Sequence, residues 1–388
     1  MTATLRLLVV TTHPIQYMAP WYRALAADPA LDVEVIYFRE LDRRAQGHGF
    51  GTAFAWDLPL REGYRSQVLD VARGFAALPT LLRRLWRAVR QVRPDVALVT
   101  GWDEVGLAAT YPLLRLLGLP IIVRGEANAL RERPRVTRLV HRGLLRLVSA
   151  AVVIGASNRA FYLANGLPEE RLFPGAYFVE SERMLAMSDR FAPQRAALRQ
   201  RAGCSERDFV FCFVGKHVPF KRPLLLVEAA AKVRARAWPV MLLFAGSGEL
   251  TQAIAERAAA LSVPVFFTGF LNQTELWRAY VPADAFVLPS TDRETWGLVT
   301  NEAMLFGLPV IVSDRVGCGP DLVRDGETGY RFSGGADALA DAMERLVRAP
   351  AAARGMGLAG RKLVVEHYSM PTATAGLKAA LAAVCARA

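Results

Sequence analysis

The chain has 388 residues, of which 53% are apolar and 22% charged, with a formal net charge of +12. That length accommodates two ordinary domains with real cores, and the composition excludes a disordered chain. No run approaches the ~18 apolar residues of a membrane-spanning helix, so any membrane contact is expected to be peripheral.

In chain order, residues 5–10 read as a strand, 20–27 as a helix and 31–37 as a strand. Residues 38–70 break the rhythm. They are polar and Gly-rich, with His48-Gly-Phe-Gly51 and Trp56-Asp-Leu-Pro-Leu60. A loop this long inside a compact domain is a functional element or a surface insertion, and both readings stay open. Helices at 77–92, 105–117 and 134–148 then alternate with strands at 95–99, 120–123 and 151–154. The boundary falls near 178–190, where strand-like residues 173–179 give way to a polar helical connector. A second series follows: strands at 209–214, 240–244, 263–267, 285–288 and 309–312, with helices at 223–235, 249–260, 273–280 and 299–306. Buried strands alternating with helices predict two α/β domains, each a parallel doubly wound sheet, over 1–182 and 183–370. The last helix, about 371–386, is Ala-rich and nearly uncharged, so it has to pack on something.

The charge leans toward the first half. Residues 1–180 carry 23 Arg, no Lys and 16 acids, or +7 of the +12. An arginine-rich coding bias, an acidic substrate and an anionic membrane all fit; nucleic acid is disfavoured, since no binding motif or aromatic-basic platform accompanies the charge. The segment 81–93 is amphipathic and purely basic, with Leu81, Leu82, Leu85, Trp86, Val89 and Val92 on one side. It reads as a lipid-facing helix or as an ordinary helix burying that side on the sheet, and residues 131–148 repeat the basic theme. Cys204, Cys212, Cys318 and Cys385 form no C-x-x-C pair, which suits reduced packing cysteines of a cytosolic protein.

The chemistry-bearing segments lie where strands end. Glu294-Thr-Trp-Gly-Leu-Val-Thr-Asn-Glu302 follows a strand and a polar loop. Backbone N–H groups near Thr295, Trp296, Gly297 and Leu298 open the next helix and suit a phosphate, and the two carboxylates can accept hydrogen bonds from sugar hydroxyls. Gly215-Lys216-His-Val-Pro-Phe-Lys221 ends the first strand of the second domain; its glycine lets a ligand approach, and its paired cations suit a diphosphate that must leave carrying charge. Phe244-Ala-Gly246-Ser-Gly248-Glu249 and Thr268-Gly269-Phe270-Leu271 end the next two strands, the latter with backbone that can pair with a nucleobase edge. Asp325-Gly-Glu-Thr-Gly329 reads as a structural turn.

Over residues 205–335 these segments, in order and spacing, resemble the family 4 retaining glycosyltransferases of the GT-B fold. The resemblance implies two Rossmann-like domains facing across a cleft, the first binding acceptor (with the C-terminal helix packing back on it) and the second binding nucleotide sugar. It implies that Glu294 contacts the donor hexose, that Glu302 binds ribose, that residues 295–298 bind diphosphate, and that Lys216 and Lys221 stabilise the departing phosphate. Gly215, Gly246, Gly269, Phe270 and Leu271 complete the expected donor side. The family is retaining and metal-independent, so no cofactor is expected; a UDP-sugar is favoured and a GDP-sugar stays open. The acceptor is a glycan, a lipid-linked sugar or a small molecule, and the protein is expected in the cytoplasm, with peripheral binding to the inner membrane face as an option.

The first half departs from the family pattern. The loop after the first strand reads Thr11-Thr-His13-Pro14-Ile-Gln16-Tyr17, and later strand ends read Gly101-Trp102-Asp103-Glu104 and Arg124-Gly-Glu126. His13, Gln16, Trp102, Asp103, Arg124 and Glu126 are expected on the acceptor side, His13 also fitting a helix-entry role before Pro14. Absence of a placed nucleophile favours front-face substitution, and Glu294→Ala is expected to abolish transfer while leaving the fold intact. A non-catalytic binding subunit, a nucleotide-sugar hydrolase and a sugar phosphorylase are the alternatives. A dehydrogenase lacks its glycine fingerprint.

Overall fold

The computed structural model describes residues 4–386. The first sheet comprises β1 (Leu5–Thr11), β2 (Leu31–Tyr37), β3 (Arg65–Val68), β4 (Val96–Val99), β5 (Ile121–Val123), β6 (Ala150–Val153) and β7 (Leu172–Pro174). Its order is β3-β2-β1-β4-β5-β6-β7, with parallel pairings. The second comprises β8 (Phe209–Val214), β9 (Val240–Ala245), β10 (Val265–Gly269), β11 (Ala285–Leu288), β12 (Val310–Ser313) and β13 (Gly329–Phe332), in the order β10-β9-β8-β11-β12-β13, also parallel. Both are doubly wound, and the winding reverses between β1 and β4 and between β8 and β11.

The inner strands follow from continuous apolar runs. All six residues of β8, Phe-Val-Phe-Cys-Phe-Val, are buried, as are all of β4, β9, β11 and β12. A parallel strand covered by helices on both faces has no wet side, so it shows no alternation. β3 is the converse. Arg-Ser-Gln-Val pairs only with β2, is partly exposed, and gave no apolar signal inside the polar 38–70 stretch.

Several elements differ from expectation. The helix expected from 249 begins at Thr251, whose Oγ1 accepts the Gly248 N–H at 3.0 Å. The helix expected over 273–280 is confined to Trp277–Tyr280. Upstream, Asp57 accepts the N–H groups of Gln273 and Thr274 at 3.1 and 3.0 Å, which draws that backbone into a turn. Helix Leu78–Val92 buries Leu81, Leu85, Ala88 and Val89 in the first core, leaving Trp86 exposed. Its apolar side is thus core-facing.

The chain divides into two compact units. The first comprises Met1–Asp42, Leu58–Tyr177 and Met370–Ala388; the second comprises Arg43–Asp57 and Phe178–Ser369. Helix Met370–Cys385 lies against β6 and β7 of the first unit and buries Ala373, Leu377, Ala380 and Leu381. A Cβ on Gly376 would lie 1.9 Å from the Pro174 carbonyl oxygen, so only glycine allows this approach. Trp21 Nε1 donates to Thr374 Oγ1 at 3.0 Å and closes the contact. No described helix is long and apolar enough to cross a membrane. All four cysteines are free.

Candidate active site

In the second unit the candidate residues gather at strand C-terminal ends beside the winding reversal, where ligands enter open α/β sheets. Lys216 and Lys221 follow β8, and Glu294 follows β11, its neighbour. Lys221 Nζ lies 2.5 Å from Glu294 Oε2, and Ser290 Oγ donates to the same oxygen at 3.0 Å. The side chains of this pair are only 11% and 14% exposed, so each charge depends on the other. Burial, and then the neighbouring Lys221, hold the Lys216 ammonium below its ordinary pKa.

The glycine turns after β8, β9 and β10 form one backbone layer. Gly215 N–H donates to Ala245 O, Gly246 N–H to Gly269 O and His217 N–H to Ser247 O, each at 2.9 Å. A Cβ at Gly246 would stand 2.0 Å from the Gly215 carbonyl oxygen, so that glycine is required for the turns to touch. Beneath them His217 is fully buried among Phe213, Phe244 and Phe267, its Nδ1 2.9 Å from Thr251 Oγ1 and its Nε2 without a hydrogen-bond partner among the described residues. Burial depresses its pKa to about 4.

Thr295, Trp296, Gly297 and Leu298 lead into the short helix Val299–Leu305. Gly297 has φ +95°, and Gly317 packs where a Cβ would be 1.8 Å from the Thr295 carbonyl oxygen. The Trp296 side chain turns inward, with Nε1 donating to Asn301 Oδ1 at 2.9 Å, so its backbone rather than its ring is positioned for a ligand. Glu302 is 1% exposed and accepts the Tyr280 hydroxyl at 2.8 Å. Gly269, with φ +72°, Phe270 and Leu271 end β10.

In the first unit His13 follows β1, Trp102 and Asp103 follow β4, and Arg124 and Glu126 follow β5, again beside the winding reversal. His13 is half-buried, with Nδ1 2.8 Å from Thr12 Oγ1; burial and then Arg73 and Arg39 hold its pKa low. Gln16 is half-buried in the following turn, and Asp103 and Glu126 are exposed, Glu126 accepting the Tyr177 hydroxyl. Two candidates are engaged in packing. The Trp102 ring meets Tyr111, His141, Phe161 and Tyr162. Arg124 is buried with its guanidinium 5.0 Å from the rings of both Trp21 and Tyr177, and donates to Ala176 O at 3.0 Å.

Two features escaped the sequence reading. Arg39, after β2, makes a two-pronged pair with Glu104 at 2.8 and 2.6 Å, beside His13; an arginine at a strand end was the available signal. Residues 43–57 pack on the second unit rather than the first, with Phe54 stacked on Phe270. The clustering of Phe50, Phe54 and Trp56 in a polar loop was the hint.

Residues 194–363 match the family model described as "Glycosyl transferases group 1". Over 202 residues the chain is 34% identical to a Mycolicibacterium smegmatis protein described as GDP-mannose-dependent alpha-(1-6)-phosphatidylinositol monomannoside mannosyltransferase, covering 49% of this chain and 52% of that one. The chain spans about half the length of the curated relatives it matches. Sucrose-phosphate synthase from Thermosynechococcus elongatus has the same fold, with a TM-score of 0.78 at 19% identity over 99% of this chain and 100% of that one. So does Anabaena Alr3699/HepE, solved with UDP and glucose, with a TM-score of 0.74 at 15% identity over 97% and 99%.

Proposed function

We infer that this chain, whose residues 194–363 form a group 1 glycosyltransferase domain on a GT-B fold, is a retaining hexosyltransferase. It moves a hexose from a nucleotide diphosphate sugar to an acceptor hydroxyl without a metal ion. One observation carries the reading: Lys216, Lys221 and Glu294 stand together on adjacent strand ends beside the winding reversal of the second sheet. A UDP-sugar is the favoured donor. UDP is bound in the Anabaena neighbour, whereas the mycobacterial relative is named for GDP-mannose.

The roles follow from the chemistry. Breaking the anomeric C–O bond leaves negative charge on the terminal phosphate, and Lys216 and Lys221 stabilise it where it develops. Glu294 accepts a hydrogen bond from a hexose hydroxyl and keeps Lys221 in place. The departing phosphate oxygen takes the proton of the acceptor hydroxyl, which attacks from the same face, so the anomeric configuration is kept. Gly269, Phe270 and Leu271 offer backbone to the base, and the ribose role proposed for Glu302 requires its carboxylate, 1% exposed and accepting the Tyr280 hydroxyl, to be uncovered. His13, Gln16, Asp103 and Glu126 offer polar groups to the acceptor; Trp102 and Arg124 shape its wall.

A lipid-linked acceptor is favoured by helix Arg135–Leu145. Its core-facing side carries His141 and Leu145, yet Val136, Leu139 and Val140 project to solvent at 72%, 64% and 54% exposure. Arg135, Arg138 and Arg142 are exposed on the same helix, which contains no acid. An exposed apolar stripe beside cations matches an anionic lipid surface, and this helix, rather than 81–93, is the one that meets it.

The test is to incubate the purified chain with UDP- and GDP-hexoses plus lipid, glycan and small-molecule hydroxyl acceptors, and to read product anomers by NMR. Retained configuration without added metal is expected. An inverted product would remove the front-face reading. Binding without turnover across the acceptor panel would favour a partner subunit, and release of free hexose alone would favour a hydrolase.

A further inference from the structure

The donor-site reading leaves residues 43–57 without a role, yet they lie on that site's own motifs. Phe54 stacks on Phe270 with centroids 4.1 Å apart, and Phe50 meets the same ring edge-on at 5.1 Å. Ser247 Oγ, inside the Gly246-Ser-Gly248 turn, donates to the Phe50 carbonyl at 2.5 Å. Asn272 Nδ2 donates to the Ala55 carbonyl at 2.7 Å, and Asp57 holds the next two N–H groups. The segment is a strap tied at its middle, by Phe50, and at its C-terminal end, by residues 54–57.

Its middle grips Lys216. The ammonium stands 5.3 Å from the centre of the Phe50 ring. Gly49, at φ +81°, comes so close that a Cβ there would be 2.9 Å from Lys216 Cδ. The two lysines are thus restrained by different means, Lys221 by its ion pair with Glu294 and Lys216 by a ring face and a glycine edge.

We propose that the strap is a positioning element for the diphosphate-binding lysine, with Phe50 holding Lys216 beside Lys221 before the ligand arrives. The inference rests on the reading of Lys216 as a diphosphate ligand. Two like charges repel, and Lys221 adds to burial in holding the Lys216 pKa low. A lysine stem is also rotamer-rich, so immobilising it on binding weakens binding. A ring face is attractive to an ammonium, more so when partly desolvated, and it leaves the N–H donors free for phosphate oxygens. Phe54 on Phe270 and Asp57 on residues 273–274 serve as the anchors.

The experiment is calorimetric titration of UDP, GDP, UMP and GMP into wild type, Phe50→Leu, Phe50→Tyr, Lys216→Ala and the Phe50→Leu/Lys216→Ala double variant. Circular dichroism melting verifies each fold. Leucine keeps the apolar packing and removes the ring face. For the diphosphate that wild type binds, Phe50→Leu is expected to weaken affinity about five- to tenfold, with the monophosphate changed less than twofold. Phe50→Tyr restores affinity, and in the Lys216→Ala background Phe50→Leu adds nothing. Equal losses on mono- and diphosphate would refute the proposal and make the strap a wall for the base. Tighter diphosphate binding in Phe50→Leu would refute it in the other direction, making the strap a plug. If Lys216→Ala leaves UDP and GDP affinity intact, or wild type binds neither, the donor-site reading itself fails, and this inference with it.

Discussion

At the scale of single residues, the ion pair between Lys221 and Glu294 changes how the obvious mutant should be read. Glu294→Ala strips the carboxylate from a lysine that is 11% exposed and from the Ser290 hydroxyl. Leaving a buried charge without its partner costs on the order of 3 kcal/mol. The milder effect on the fold therefore belongs to Glu294→Gln, which also loses the counter-charge but keeps shape and an oxygen that can accept from Lys221 and Ser290. It should lower turnover at least 100-fold with a melting temperature within a few degrees of wild type, whereas Glu294→Ala should also melt earlier. His217 yields a pH prediction. Its folded pKa is about 4 against an ordinary 6.5, so between those values the unfolded chain takes up a proton that the folded chain refuses. Stability from this residue is complete above about pH 6.5 and falls as pH drops toward 4, by up to about 3 kcal/mol. Urea unfolding at pH 7.5 and 5 should show a shallower acid loss in His217→Phe; an unchanged slope would mean that His217 does not titrate as its burial demands. Residue types and spacing singled out Lys216, Lys221 and Glu294 as candidates, and the structure brings Lys221 and Glu294 into contact. Types and spacing did not reveal that Trp296 and Arg124 turn inward, because side-chain direction is decided by neighbours such as Asn301, Trp21 and Tyr177 that lie far away or on another turn.

At the scale of elements, legibility followed burial. The inner strands β8 and β11 were readable to the residue because both faces are covered and their runs are unbroken. Edge strand β3 and the curtailed helix at Trp277–Tyr280 were not, since one is polar and the other is shaped by Asp57, more than 200 positions upstream. Among amphipathic helices the sequence could not tell which apolar side faces the core. Helix Leu78–Val92 uses its side for packing, while helix Arg135–Leu145 has an apolar sector wider than its core contact needs. Leu139→Asp should therefore abolish low-salt co-sedimentation with phosphatidylglycerol vesicles and leave the melting temperature unchanged. Co-sedimentation unaffected by Leu139→Asp would place the lipid contact elsewhere. Helix glycines give a paired stability test. Gly376→Ala pushes a Cβ against the Pro174 carbonyl and should destabilise by about 1–3 kcal/mol. Gly355→Ala, within helix Pro350–His367 and with open space around it, should stabilise by up to about 1 kcal/mol. Thermal melts of the two variants check both signs.

At the scale of the whole molecule, the alternation of strands and helices announced two doubly wound sheets, and the motifs of the second half lie within the stretch, residues 194–363, that matches the group 1 glycosyltransferase model. What the alternation could not convey is which unit each stretch joins, since the strap carries no periodic signal and its partners lie roughly 200 positions away. A nucleoside diphosphate that binds only the folded protein at saturating excess should raise stability by roughly 2–4 kcal/mol without metal, with UDP the expected ligand. Scanning calorimetry with UDP, GDP, ADP and dTDP tests this, and a flat response to all four would count against the donor site. The polypeptide passes between units at residues 42–43, 57–58, 177–178 and 369–370. The donor site proposed above is therefore encoded in two stretches of gene that are not adjacent. A chimera that exchanges only the C-terminal half with a relative would mate a foreign Phe270 equivalent with the resident strap. On the proposed reading, recombination that preserves function has to carry residues 43–57 together with 178–369, and the compact unit itself is discontinuous in sequence.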